Sequence, residues 1–478
     1  MEGIKGRKRI KTPAWQTMTG RKIKDINHSD SKNQLSLMNL TMLGIGGAVG
    51  SGIFVASGLA INQAGPGIIV SFVVGGVIAG LIMFMVAEMS VSQPTSGSFS
   101  VYAEEYLGRA FGFISGWLYW MSGILTLATE MVAAALITRF WLPSWPIWLI
   151  SLIIAAVILG ISLLDVRAFA RIEEVLSFIK AGILLVVIVM GIMLFAGVWP
   201  GVKSPGATNF INHGGLFPNS WKGVMSSLLL VLYTYAGEQV IGPATGETQN
   251  PSKTVPKAVT IINAVLVILY LGSIITLVGI IPWNQVSQNG SGFVPLFAKL
   301  GLPGMTGFVN AIILSAVLSA MNSNMYGVPR MLKSLAERHD APVFLGKNDK
   351  RGVPIPAVLL SSACLLAVVG ISYILPKKIF VYIASASGVT LLVNWLIIAV
   401  THLRFRHKSK ENPNKDQLRY PGFPYTTITA IMLLLVALST SALSPNQLIG
   451  LITGLIIISL FALSYFLLIK KRHRPRTD

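Results

Sequence analysis

Apolar residues run almost unbroken for about 20 positions at a time along most of the chain, and short polar gaps separate the runs. A helix of about 20 residues spans the hydrocarbon core of a bilayer. Twelve runs predict membrane helices, over about 35–60, 66–92, 108–139, 143–163, 171–199, 221–246, 256–281, 306–334, 355–374, 379–402, 424–443 and 447–470. The charge in the gaps gives the sidedness. With both ends in the cytoplasm, 31 of the 38 Lys and Arg fall on the cytoplasmic side. Arg139, Lys203, Lys222, Lys299, Lys377 and Lys378 fall outside, and Lys180 lies within a run. That bias follows the positive-inside rule and requires an even number of crossings. The first thirty residues are basic and contain no apolar segment, so the first run itself is expected to direct insertion.

Two of the runs are poor straight helices. The first contains Gly44, Gly46, Gly47, Gly50 and Gly52, and each glycine costs about 1 kcal/mol relative to alanine in a helix interior. Close packing in membranes uses small residues on one face, whereas these occupy every face. A break is expected, and non-helical backbone at membrane depth is allowed where it lines a cavity. The sixth run reads Tyr233-Thr234-Tyr235-Ala236-Gly237-Glu238-Gln239-Val240-Ile241-Gly242-Pro243. Pro243 lacks an N–H and clashes with the preceding turn, so a second break is expected there. The breaks are five runs apart. Five is odd, so a repeat of five places its second copy upside down, and paired interrupted helices in inverted halves point to a transporter's substrate site. The half-helix after Gly50 offers N–H groups suited to a carboxylate. Freed carbonyls on both runs suit an ammonium group.

Composition agrees and narrows the class. Hydrophobic residues make up 53% of the 478 residues and charged residues 12%, against about a quarter charged in soluble proteins. The net charge of +20 sits in gaps and tails. It reads as topology signal and lipid anchoring rather than as a nucleic-acid face. Cys364 lies inside an apolar run and reads as a small core residue. The six His show no metal-ligand spacing. No phosphate loop, triad or paired catalytic carboxylate occurs in a usable context. Neither an enzyme nor a bound metal or cofactor is expected.

Particular segments add a resemblance. Ile45-Gly46-Gly47-Ala48-Val49-Gly50-Ser51-Gly52-Ile53-Phe54 opens the chain's membrane portion. Gly116-Trp117-Leu118-Tyr119-Trp120 and Ala128-Thr129-Glu130 lie in the third run, and Glu173 precedes Lys180 by seven residues in the fifth. Gly246-Glu247-Thr248-Gln249-Asn250-Pro251 ends the sixth run; Leu318-Ser319-Ala320-Met321-Asn322-Ser323 and Arg330-Met331-Leu332 lie in the eighth. In this order the chain resembles the amino acid–polyamine–organocation superfamily, and within it the amino acid transporter (permease) family. The resemblance implies an all-α membrane protein with ten core helices in a five-plus-five inverted repeat, two peripheral helices, and breaks in helices 1 and 6. The implied organisation is a basic cytoplasmic tail over 1–34, repeats over 35–200 and 221–402, peripheral helices over 424–470 and a cytoplasmic tail over 471–478. It implies a substrate site built from Ala48, Val49, Gly50, Ser51 and Gly52 with Tyr233, Ala236, Gly237 and Glu238. Ser51 and Gly52 would meet the substrate carboxylate, and the carbonyls of Ala48, Tyr233 and Ala236 its amino group. Tyr233 would be an aromatic gate. The chain departs from the pattern at Gln239, where relatives carry Glu and this chain has its acid one residue earlier, at Glu238. It departs again at Ser122 and Gly123, where many relatives carry Asn and Trp.

Charged residues within the runs need partners. Lys180 is expected to be paired or to titrate; the resemblance supports a titrating amine that replaces a sodium ion between helices 1, 5 and 8, although an anchor at the inner end is the plainer reading. Glu130 is open to two readings, a pathway residue or a structural pair with groups such as Thr126. Glu88 is expected to make a structural pair near the inner end of the second run. Ser122, Gln239, Asn322 and Ser323 are candidates for the pathway, with polar interhelical bonding the alternative for the last two. The function expected is import of an amino acid with protons, by alternating access, across the cell membrane. Exchange without protons and sensing on the same scaffold are the alternatives. Tyr233, Ser122 and Gly123 favour a neutral substrate of small or moderate size, and Glu238 leaves a cationic one open.

Overall fold

The computed structural model describes residues 34–95, 97–163, 166–199, 201, 203–287, 290–298, 304–374, 379–411 and 418–469. The terminal tails, apart from Gln34, lie outside the described residues, as do Lys299, Lys377 and Lys378. The main helices are α1 (Leu37–Ala48), α2 (Ser57–Ala64), α3 (Ile68–Ser92), α4 (Ser98–Leu107), α5 (Arg109–Thr138), α6 (Ile147–Ser162) and α7 (Val166–Phe195). After them come α8 (Ser220–Tyr235), α9 (Pro251–Ile280), α10 (Met305–Glu337), α11 (Ile355–Ile374), α12 (Ile379–Glu411), α13 (Tyr425–Thr440) and α14 (Pro445–Ser464). Among the described residues, ten helical stretches are long and apolar enough to cross a membrane, and α6 is a shorter apolar helix. The first stretch, Leu37–Ser92, holds 56 residues. At 1.5 Å per residue it is about 84 Å long if straight, far more than one crossing. It is interrupted twice, at the α1 break and at Gly65, whose φ of +62° turns the chain ahead of α3.

Burial grades the helices. The apolar window of Ser220–Glu247 is 94% buried, whereas that of Pro445–Leu467 is 11% buried, so α8 is central and α14 peripheral. The broad helix α5 lies against α10 and α12, and α9 lies along α3. The interrupted α1 lies against α7, α9 and α10 and against the turn that follows α8.

One end of the bundle is held by side-chain charge. Glu247, just beyond α8, accepts from Arg330 Nε at 3.0 Å and from the Tyr326 hydroxyl. The Arg330 guanidinium lies 3.5 Å from the centre of the Tyr326 ring. Arg338 donates to Glu104 at 2.8 Å, and Arg109 to Asp340 at 3.0 Å. Leu35, ahead of α1, donates to the Glu247 carbonyl at 2.8 Å and accepts from Gln249 N at 2.9 Å. The chain entering α1 is therefore stitched to the chain leaving α8. Glu88 makes its expected structural pair with Arg406, which donates from Nη2 at 2.7 Å; Tyr420 N donates to the same oxygen at 3.2 Å. Both Glu88 and Arg406 are buried. Removing one partner of a buried ion pair typically costs about 3–5 kcal/mol. Arg406→Ala is expected to lower the thermal unfolding midpoint of the detergent-solubilised protein markedly, and Glu88→Gln/Arg406→Met to recover most of the loss.

Candidate substrate and coupling site

Glycine breaks α1 where the sequence predicts. The helix ends at Ala48, Val49 turns extended (φ −80°, ψ 91°), and winding restarts at Ser51 with a wide π-type turn over Gly52–Ala56. The Ser220–Glu247 stretch behaves differently. Its winding tightens into a 3₁₀ turn over Ala236–Val240 and resumes over Ile241–Ala244, so this interruption is an overwound turn rather than an open one. A 3₁₀ turn keeps backbone bonds in register over three residues instead of four. Pro243 lies just beyond it, in the resumed segment.

The polar groups at these interruptions are held by side chains. Ser51 N–H donates to Glu130 Oε2 at 2.8 Å, and Ser51 Oγ lies 3.0 Å from the Tyr233 hydroxyl. Gly50 lets the carboxylate approach: a methyl group there would sit 2.6 Å from Glu130 Oε1. The Tyr270 hydroxyl, from α9, donates to Ala48 O at 2.8 Å and lies 3.3 Å from Thr234 O. It therefore bridges the carbonyl ends of both interruptions. Ser51, Glu130, Tyr233 and Tyr270 are all buried. Glu238 is fully buried, and among the described residues neither of its carboxylate oxygens has a hydrogen-bond partner; the same holds for Oε1 of Gln239.

A second cluster lies earlier along α1, at Gly46. Lys180 is fully buried, donates to the Gly46 carbonyl, and lies 3.4 Å from Glu173 Oε1. Glu173 also accepts from Ser177 at 3.0 Å, Ser319 at 2.8 Å and Asn322 at 3.2 Å. Ser177 contacts Met42 O at 3.1 Å as well. One ion pair thus joins α1, α7 and α10 at membrane depth. An isolated charge there is expensive, and pairing with multiple hydrogen bonds is what makes it tolerable.

The structure sorts the sequence candidates into three groups. Ala48, Val49, Gly50, Ser51, Gly52, Tyr233, Ala236 and Gly237 converge at the interruptions, with Glu130. Asn322 joins the Lys180 cluster, and Ser323 Oγ comes within 3.0 Å of where a Gly46 methyl group would be. Ser122 lies apart from both: its hydroxyl bonds to Tyr119 O, and its carbonyl receives Thr126 and Ser387 from α12. Thr126, offered in the sequence as a partner for Glu130, bonds Ser122 and Ser387 instead. Tyr270 is a functional candidate that sequence reasoning missed, since a tyrosine inside an apolar run gives no sign of which helix it reaches. Tyr270→Phe strips a donor from a buried carbonyl, which typically costs about 1–3 kcal/mol. It is expected to slow uptake by the reconstituted protein while leaving it folded, as read by initial rates and by gel-filtration profile.

Known proteins resemble this chain over most of its length. A family model described as amino acid permease matches residues 39–474. The γ-aminobutyric acid permease of Bacillus subtilis is 36% identical over 442 residues, covering 91% of this chain and 94% of that protein. The amino-acid permease RocC of the same organism is 34% identical over 94% of this chain and 98% of its own. An uncharacterized amino acid permease, YtnA, is 35% identical over 87% of this chain and 90% of its own.

Proposed function

Because the chain belongs to the amino acid permease family, we propose that it is a secondary active transporter that imports an amino acid together with protons by alternating access. The observation that carries the reading is the pairing of two chemistries where the two interruptions meet. A backbone N–H faces a carboxylate at Ser51, and carbonyls face a donor at Ala48 and Thr234. An α-amino acid brings one group for each. The relative named for γ-aminobutyric acid is named for a molecule that also bears both an amine and a carboxylate. Twelve crossings in two inverted sets of five plus a peripheral pair fit the spacing of the interruptions and the burial gradient. Both termini on the cytoplasmic face of the plasma membrane fit the positive-inside bias.

Lys180 is the proposed coupling residue. Its ammonium occupies a place where a bound cation would tie helices 1, 5 and 8, and it meets the Gly46 carbonyl and Glu173 there. Loss of the proton would weaken those ties and shift the balance between outward- and inward-open forms. Tyr233, bonded to Ser51, would close over the substrate.

The test is uptake by purified protein in proteoliposomes, with labelled amino acids and an imposed inward proton gradient. Accumulation that needs the gradient and collapses with a protonophore supports symport. Counterflow independent of the gradient replaces it with exchange. Saturable binding without transport replaces it with sensing.

A further inference from the structure

The carboxylate that meets Ser51 N–H in this conformation belongs to the protein. Glu130 reaches across from α5 to a backbone donor 79 positions earlier in the chain, at the restart of winding after the break. The restarted segment, Gly52–Ala64, is long enough to present a positive dipole end there. Under the transport reading, on which this inference rests, the substrate's α-carboxylate is bound for the same donor. Gly50 leaves room for one carboxylate, since even a methyl group there would lie 2.6 Å from Glu130 and 2.6 Å from Ala320.

We propose that Glu130 is an internal stand-in for the substrate's α-carboxylate, and that it takes up a proton when the substrate claims the Ser51 amide. Two carboxylates that share one site cannot both remain charged at close range. A proton from the outer solution binds a Glu130 oxygen, the neutral acid gives up the Ser51 N–H, and the substrate carboxylate accepts it. On the inner side the substrate leaves, the proton passes to cytoplasmic water, and the carboxylate returns to the amide. The exchange takes up the proton at the binding step, and accumulation driven by the gradient still requires the conformational bias assigned to Lys180.

The groups around Glu130 allow this. Lys180 from α7, Tyr233 from α8 and Tyr270 from α9 interact with it electrostatically, and the buried Glu238 and Tyr235 act on Tyr270 in turn. Lys180 is committed to Gly46 O and Glu173, Tyr233 to Ser51 Oγ and Tyr270 to Ala48 O. Around Ala320, α10 carries neutral Ser319, Asn322 and Ser323, and its first titratable groups, Tyr326 and Arg330, are bonded to Glu247. From α12, Ser387 bonds Thr126, one turn before Glu130. On α4, Glu104 is paired with Arg338 and Tyr102 bonds Gln93 O. Each of these cations already has an anion or carbonyl of its own, so binding a second carboxylate beside Glu130 calls for a proton.

The experiment is titration calorimetry on the purified full-length protein, in buffers of different ionisation heat. The labelled L-amino acids are screened first for binding; the one that binds is compared with the amine that lacks its carboxyl. The wild type is expected to take up a proton with the amino acid and none with the amine, and to bind the amino acid more tightly as the pH falls. Glu130→Gln keeps an oxygen for Ser51 N–H and is expected to bind without proton uptake and without that pH dependence. Proton uptake that persists in Glu130→Gln, or that accompanies the amine equally, overturns the proposal. Should Glu130→Gln fail to fold, the comparison of amino acid with amine in the wild type still decides. Binding of an amino acid with no proton uptake sinks this inference alone; absence of both binding and transport for every amino acid sinks the transport reading.

Discussion

Lys180→Ala is expected to abolish accumulation driven by an inward proton gradient and to spare counterflow of labelled substrate. The amine is fully buried and holds both the Gly46 carbonyl in the first crossing and Glu173 in α7. Alanine removes the charge that changes with proton binding, so the gradient loses its hold on the equilibrium between the two access states. The substitution also leaves Glu173 buried beside Ser177, Ser319 and Asn322, with donors but no counter-charge. An uncompensated buried charge costs about 3–5 kcal/mol, so a loss of transport by the single variant has two possible causes. Lys180→Ala/Glu173→Gln separates them. Glutamine keeps an oxygen for Ser319 and Ser177 while removing the charge, and the double variant is expected to regain thermal stability without regaining gradient-driven uptake. Accumulation in response to the gradient by either variant would remove Lys180 from the coupling step and leave it a structural ion pair.

The residues differ in how openly their sequence announces these roles. The first interruption is legible because five glycines on all faces of one run are inconsistent with any straight helix that packs on one side. Lys180 is legible because a lysine in an apolar run must be paired, and Glu173, seven residues away, lies two turns along the same face. The form of the second interruption was not legible. Glycine and Pro243 mark a disturbance there, but the choice between an open break and the observed 3₁₀ tightening depends on whether neighbouring helices leave room, and periodicity says nothing about neighbours. The same limit hides the partners of Glu130 and Tyr270. A run fixes which face a residue lies on; it does not identify the backbone group 79 or 222 positions away that the residue meets. Ser122 shows the converse. A departure from the family pattern marked it for the pathway, and the structure commits its hydroxyl and carbonyl to bonds within α5 and with α12.

Among the described glycines, Gly237→Ala is expected to be the most damaging single added methyl group. A methyl group at Gly237 would run into the carbonyl group of Gly47 and lie 2.6 Å from the Ala48 nitrogen; the reverse change, Gly47→Ala, would put a methyl group 2.5 Å from the Gly237 carbonyl oxygen. Both obstacles are backbone, so no side-chain rotation relieves them. Overpacking a core with flexible neighbours costs about 1–3 kcal/mol, and rigid neighbours place this case at the upper end or beyond. The only relief is to push the two crossings apart. That would stretch the 3.0 Å contact between Ser51 and Tyr233 and the reach of Tyr270 to Ala48 and Thr234. Gly237→Ala should therefore lose both substrate binding and a large part of its thermal stability. Gly182→Ala in α7 is the matched control. A methyl group there meets nothing within 4 Å, and alanine is the better helix former by about 1 kcal/mol. It is expected to unfold at the wild-type temperature or slightly above and to transport normally. Gly237→Ala with wild-type uptake and melting would mean that the two interruptions can separate without loss. The close approach of Gly47 and Gly237 would then not be what assembles the site.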